Sequence, residues 1–215
     1  MVNDVCARCN NALLNVLDDY FCQLYDKYFV EAQGFDASVT FEYDYSLLTR
    51  VLLKIAYNSA RSAGSDHDHL RALRSYISVG EPIPSQVAVF AELVSPTVVS
   101  DAGSTSGSRV VLPTDFYRSA ITKLLTPHGN DVYTRIVAVG SFYFHLVLPA
   151  RTLMNSEFEH AASELGTFIP GVVQLLPTMT NVTLTTSPQD AISSIAPHIQ
   201  KHRDTYREYF RRKKS

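Results

Sequence analysis

Two cysteines three residues apart, Cys6 and Cys9, are the side chains whose type and spacing point most directly to chemistry. They sit in the opening run Asn3-Asp4-Val5-Cys6-Ala7-Arg8-Cys9-Asn10-Asn11. Thiolates at this spacing can grip one metal ion from a single turn, and Zn²⁺ would accept both at about 2.3 Å. A closed zinc site takes four ligands, and the only other cysteine, Cys22, lies in the helical pattern that follows. The pair therefore borrows ligands from distant histidines, binds no metal, or is the end of a motif that began further upstream. The third reading is the one preferred.

Two basic rows come next. Arg50, Lys54, Asn58 and Arg61 recur every three or four residues and share one face of a helix. Such a row could grip phosphates or an acidic element of the same chain, or simply be a solvated face opposite a leucine stripe. Arg203, Arg207 and Arg211 form an i, i+4 ridge interleaved with Tyr206, Tyr209 and Phe210. Basic side chains beside aromatics suit nucleic-acid backbone contact with stacking. Positive charge at a helix C-terminus also complements the macrodipole.

The remaining candidates carry less. His67 and His69 flank Asp68 in a spacing that suits a surface turn, and His145, within an apolar run, reads as a satisfied core residue. The run Gly103-Ser104-Thr105-Ser106-Gly107 lacks the lysine of a phosphate loop, and no Gly-x-Ser-x-Gly elbow is present.

The elements that must position these residues follow from periodicity. Residues 11–31 read as an amphipathic helix, with Leu13, Leu14, Leu17, Phe21, Leu24, Tyr25, Tyr28 and Phe29 at helical spacing and acidic, amide and lysine side chains on the other side, a helix that Asn10 or Asn11 could cap. A second helix over residues 45–61 carries the stripe Leu48, Val51, Leu52, Ile55 and Ala56. A shorter third runs over residues 66–80, stopping at Gly80. Residues 86–94, 109–112, 172–176 and 182–186 have strand character. Residues 95–108 read as a loop, residues 114–125 as either a helix or a loop, and residues 136–148 as two strands or one kinked at Gly140. Ser187-Pro188 supplies a cap and a first-turn proline for a C-terminal helix. The order predicts an α+β protein with a helical N-terminal third, a β-rich middle and a long C-terminal helix.

Composition sets the outer bounds. The chain has 215 residues, 46% hydrophobic and 19% charged, enough for a substantial core. No apolar run nears the ~20 residues that span a bilayer, and the N-terminus lacks a signal-peptide pattern, so no membrane contact and a cytoplasmic location are expected. The net charge of −2 is unevenly spread. Residues 198–215 hold seven Lys/Arg against two acids, and residues 1–197 hold 12 against 19. A body of that sign is no general polyanion binder, so any DNA contact must be local.

The opening stretch resembles the last part of an HNH-type endonuclease motif, in a bacterial subgroup that carries Cys-x-x-Cys-Asn-Asn. Here Cys6-Ala7-Arg8-Cys9-Asn10-Asn11 leads to Leu17-Asp18, and the helix Leu48-Thr49-Arg50 to Ala60-Arg61 is similar to one that recurs there. The likeness covers residues 3–61. It implies structural Zn²⁺ on Cys6 and Cys9, with Asn3 positioning the loop and Asn10 bordering a catalytic divalent metal. The implied reaction is metal-dependent hydrolysis of a DNA phosphodiester. The family's first cysteine pair and the strand histidine that acts as general base would precede Met1. The expectation is therefore an N-terminally truncated copy, inactive as it stands. On this view residues 1–31 are the remnant of the ββα and zinc motif with its helix. Residues 32–215 are then a family-specific α+β region ending in a basic helix. The alternatives are a non-catalytic protein- or nucleic-acid-binding module, or a small-molecule site lined by tyrosines and phenylalanines.

Overall fold

The computed structural model describes residues 14–62, 68–81, 84–95, 97–100, 108–111, 116–118, 121–125, 131–150, 153–169 and 171–190. The opening motif with Asn3, Cys6, Cys9 and Asn10 lies outside the described residues. So do the capping asparagines and the tail with Arg203, Arg207 and Arg211.

The centre of the molecule is an eight-stranded mixed sheet in which β1 (Ser38–Glu42), β10 (Asn181–Asp190), β2 (Ala88–Ser95), β8 (Phe142–Pro149) and β7 (Asp131–Val139) lie side by side. β5 (Phe116–Arg118) and β6 (Thr122–Leu125) both pair with β7, and the short β9 (Val173–Leu175) pairs with β2. Only β10 and β2 run parallel; the other pairs are antiparallel. A separate ribbon joins β3 (Thr97–Ser100) to β4 (Ser108–Val111).

The β2 run Ala88-Val89-Phe90-Ala91 shows why the sheet is central. It is apolar on both faces, as a strand covered on both sides must be. Val89, Ala91 and Leu93 enter the larger core, with Leu17 and Leu24 of α1 (Asn15–Leu24) and Leu48, Leu52 and Ala56 of α2 (Tyr45–Ser62). Ala88 and Phe90 enter a second core, with Phe158, Ala161 and Ala162 of α5 (Asn155–Ser163) and Leu165 of α6 (Leu165–Phe168).

Aromatic packing fixes α1 to the sheet. The helix continues as a π turn, Tyr25–Phe29, which delivers Phe29 into a cluster 5.0 Å from Phe142 and 6.0 Å from Phe144, centroid to centroid. Gly140 opens the turn between β7 and β8 at φ +54°, and a Cβ there would stand 2.9 Å from the Phe29 carbonyl oxygen. Only glycine fits that approach without displacing backbone.

The expected separation of helical third, β-rich middle and long C-terminal helix does not hold. The first helices are interrupted by β1, whose partner β10 lies about 140 residues along the chain. Ser187-Pro188, read as a helix start, is strand, because β10 continues to Asp190. The last helix among the described residues ends at Phe168. The third helix is two short ones, α3 (Asp68–Arg71) and α4 (Arg74–Val79), the latter closed by Gly80 at φ 85°. Residues 136–148 are two strands joined at Gly140 and Ser141. Residues 95–108, expected as a loop, contain β3 and begin β4. Among the described residues no helix is long and apolar enough to cross a membrane.

Candidate functional site

The basic row of α2 is brought together on one helix, but each cation has its own internal partner. Arg50 is 9% exposed and turns inward. Its Nε donates to the Ile77 carbonyl at 3.2 Å and its Nη2 to the Ser78 carbonyl at 3.0 Å. It thus satisfies the last carbonyls of α4, which that helix cannot bond itself. Lys54 Nζ donates to Asp18 Oδ1 at 2.6 Å, tying α2 to α1. Arg61 lies over the Tyr57 ring, 5.6 Å from its centroid.

Two buried charged features lie within the sheet, one on each face. Glu92 of β2 and His145 of β8 are 0% and 1% exposed, with Nε2 and Oε2 3.2 Å apart. They are diagonal neighbours, since Phe90 is opposite His145 and Glu92 opposite Tyr143. His145 is therefore a core residue with a partner, as expected. On the face of the larger core, Arg135 of β7 donates from Nε to His69 Nε2 of α3 at 3.4 Å.

A groove of ≈ 480 Å³ lies between α1 and the β1–β10 edge, bounded also by Thr180 and Asn181. α1 and its π turn present Tyr20, Gln23, Leu24, Lys27 and Tyr28 to it, positions that share one helical face. Across the groove stand Glu42, Tyr43 and Asp44. Lys27 Nζ donates to Glu42 Oε2 at 2.7 Å. Hydrogen bonds from Lys27 to Glu42 and then Tyr28 hold its ammonium above the ordinary lysine value.

The two tyrosines also close the sheet. β1 is its outermost strand on this side, and Tyr43 N–H points inward to the Thr180 carbonyl at 2.9 Å. The outward N–H groups of Glu42 and Asp44 donate instead to Tyr28 Oη at 3.0 Å and Tyr20 Oη at 2.9 Å. Burial, the larger effect, pushes the Tyr20 hydroxyl up to about 12 against the opposing bond to Asp44.

Sequence reasoning singled out neither Tyr20, Lys27, Tyr28 and Glu42 nor Glu92. Tyr20 and Tyr28 lie eight residues apart on one helical face, a signal that the leucine stripe beside them masked. Glu92 stands as the one acid in the apolar run of β2. Among the described residues no group of three or more His, Cys, Asp or Glu side chains could hold a metal ion. Cys22 is exposed on α1, and Cys6 and Cys9 lie outside the described residues.

Comparison with known proteins adds no relative: no family model, no curated protein and no solved structure matches the chain.

Proposed function

We propose that this chain is an HNH endonuclease-like protein that does not cut DNA with its own residues. In this reading its β-sheet body is scaffold, and DNA contact falls to the opening motif and the basic C-terminal segment. The observation that carries the reading is where the cations are engaged. Arg50 bonds the end of α4 and Lys54 bonds Asp18. The body carries 19 acids against 12 Lys/Arg besides, so the net positive charge that a phosphate backbone could meet is concentrated in residues 198–215. Cys6 and Cys9 would hold zinc, Asn3 would position the loop and Asn10 would border a divalent metal. That metal, when bound, supplies stabilisation of the charge developing on the phosphorane. An asparagine amide does not titrate, so neither Asn3 nor Asn10 could take the proton from the attacking water. Two thiolates alone make a weak site, so the purified chain is expected to hold less than one equivalent of zinc.

Two measurements on the full chain test this. Supercoiled plasmid incubated with the protein and Mg²⁺ or Mn²⁺ should stay intact. Duplex DNA should bind in a salt-dependent manner. Replacing Arg203, Arg207 and Arg211 together by Gln should weaken binding and flatten the salt dependence by up to about 3 in slope. Lys54→Gln should leave that slope alone. Chelator-sensitive nicking would overturn the inactive assignment. Equal affinity and slope for the triple variant would overturn the placement of the DNA contact.

A further inference from the structure

The groove beside α1 already holds a cation. Lys27 Nζ lies 5.1 Å from the centroid of the Tyr28 ring and 2.7 Å from Glu42 Oε2. An aromatic face and a carboxylate converging on one positive charge is the arrangement that retains ammonium and guanidinium groups. The lysine is a loose occupant. Its side chain is 54% exposed and that of Glu42 63%, so the pair contributes little and yields to a better competitor. The lining is also short of positive charge, with Lys27 set against the two acids Glu42 and Asp44 in its charge balance. The cavity, ≈ 480 Å³, continues from this pair past Gln23 and Leu24, which leaves room for an alkyl stem behind a charged head.

We propose that this groove binds a guanidinium group carried on a flexible stem, which displaces Lys27 from Tyr28 and Glu42 and takes both partners. A guanidinium suits the pair better than a second ammonium does. Its planar fork can meet both carboxylate oxygens of Glu42 while its face lies on the Tyr28 ring. Lys27 is then a built-in competitor that keeps the site filled until such a group arrives. The same chemistry can come from a free small molecule or from an arginine side chain of a partner chain. The inference does not rest on the DNA reading, since neither the cysteine pair nor the basic tail takes part in it.

The test titrates argininamide, the capped tripeptide Gly-Arg-Gly and spermidine into the full chain, by calorimetry or amide chemical shifts. Argininamide should bind Lys27→Met about five- to tenfold more tightly than the parent, because the internal competitor is gone. Glu42→Gln should weaken binding about tenfold in either background. Thermal melts of each variant establish that it folds, and Lys27→Gln serves where Lys27→Met does not. Tighter binding of the tripeptide than of argininamide would assign the site to a partner's arginine; the reverse would assign it to a free molecule. Spermidine binding as tightly as argininamide would overturn the choice of guanidinium. Lys27→Met binding no better than the parent, or Glu42→Gln binding as well as the parent, would overturn the site itself.

Discussion

Glu92 and His145 stand at the least forgiving position for single side chains. Both lie inside the sheet, where neither can recover hydration, and they meet across 3.2 Å. Removing one partner leaves the second buried without its counterpart, which typically costs about 3–5 kcal/mol. Replacing both by apolar groups of similar size is far milder, because the desolvation of two polar groups disappears with their attraction. Glu92→Leu and His145→Leu should therefore each lower the urea midpoint strongly, while the double variant should lie well above the sum of the two losses. Additive losses in that cycle would show that the two side chains act independently. His145 was legible in the sequence as a core histidine because it interrupts an otherwise apolar strand. Its partner was not, since β2 and β8 are 53 residues apart at this contact and no local pattern joins them.

The same distinction holds for whole elements, where local patterns gave α1, α2 and most strands but not their order. Ser187-Pro188 shows the limit. A serine before a proline is a sound helix-start signal, yet the strand that β1 pairs over residues 181–185 runs on, and its Thr186, Ser187 and Asp190 pair with β2. Proline cannot donate to a ladder, and the β10–β2 register shifts between Ser187 and Asp190, on either side of Pro188. The proline marks an irregularity in a strand, not the first turn of a helix. β3 was hidden within a run rich in serine, threonine and glycine, which resembles loop composition. The capped edge of β1 was equally invisible, because it depends on two tyrosines meeting a strand that follows them. Sheet edges invite pairing with other chains unless blocked, and here phenolic oxygens occupy the outward donors. Replacing Tyr20 and Tyr28 by Phe should keep the rings in place while freeing the Glu42 and Asp44 amides. Those two amides should exchange with solvent about fivefold faster or more, corresponding to roughly 1 kcal/mol per lost bond. The Tyr43 amide, bonded inward to Thr180, should be unaffected. Unchanged exchange at Glu42 and Asp44 would mean that water replaces the hydroxyls at no cost.

Across the whole molecule, tyrosines bind the helical layer to the sheet edge, and this gives the fold a defined weakness at high pH. Burial is the leading cause that raises the hydroxyls of Tyr20 and Tyr45 to about 12, and those of Tyr43 and Tyr76 by less. In Tyr45 the nearby Thr49 hydroxyl offsets part of that rise. An unfolded tyrosine ionises near 10. Below that value both states keep the proton and stability is fully present. Between about 10 and 12 the unfolded chain has released protons that the native state still holds, so the native state is progressively disfavoured. The fold should therefore resist acid-side changes in these groups and fail as pH rises through this window. Absorbance at 295 nm should show two phases, an early reversible one from exposed tyrosines and a later one coincident with loss of circular dichroism. Tyr45→Phe removes one of the groups that drive the later phase. It should make the stability loss shallower by at most about 1.4 kcal/mol per pH unit. If Tyr45→Phe and the parent instead lose structure at the same pH with the same steepness, burial of that hydroxyl is not what holds its proton.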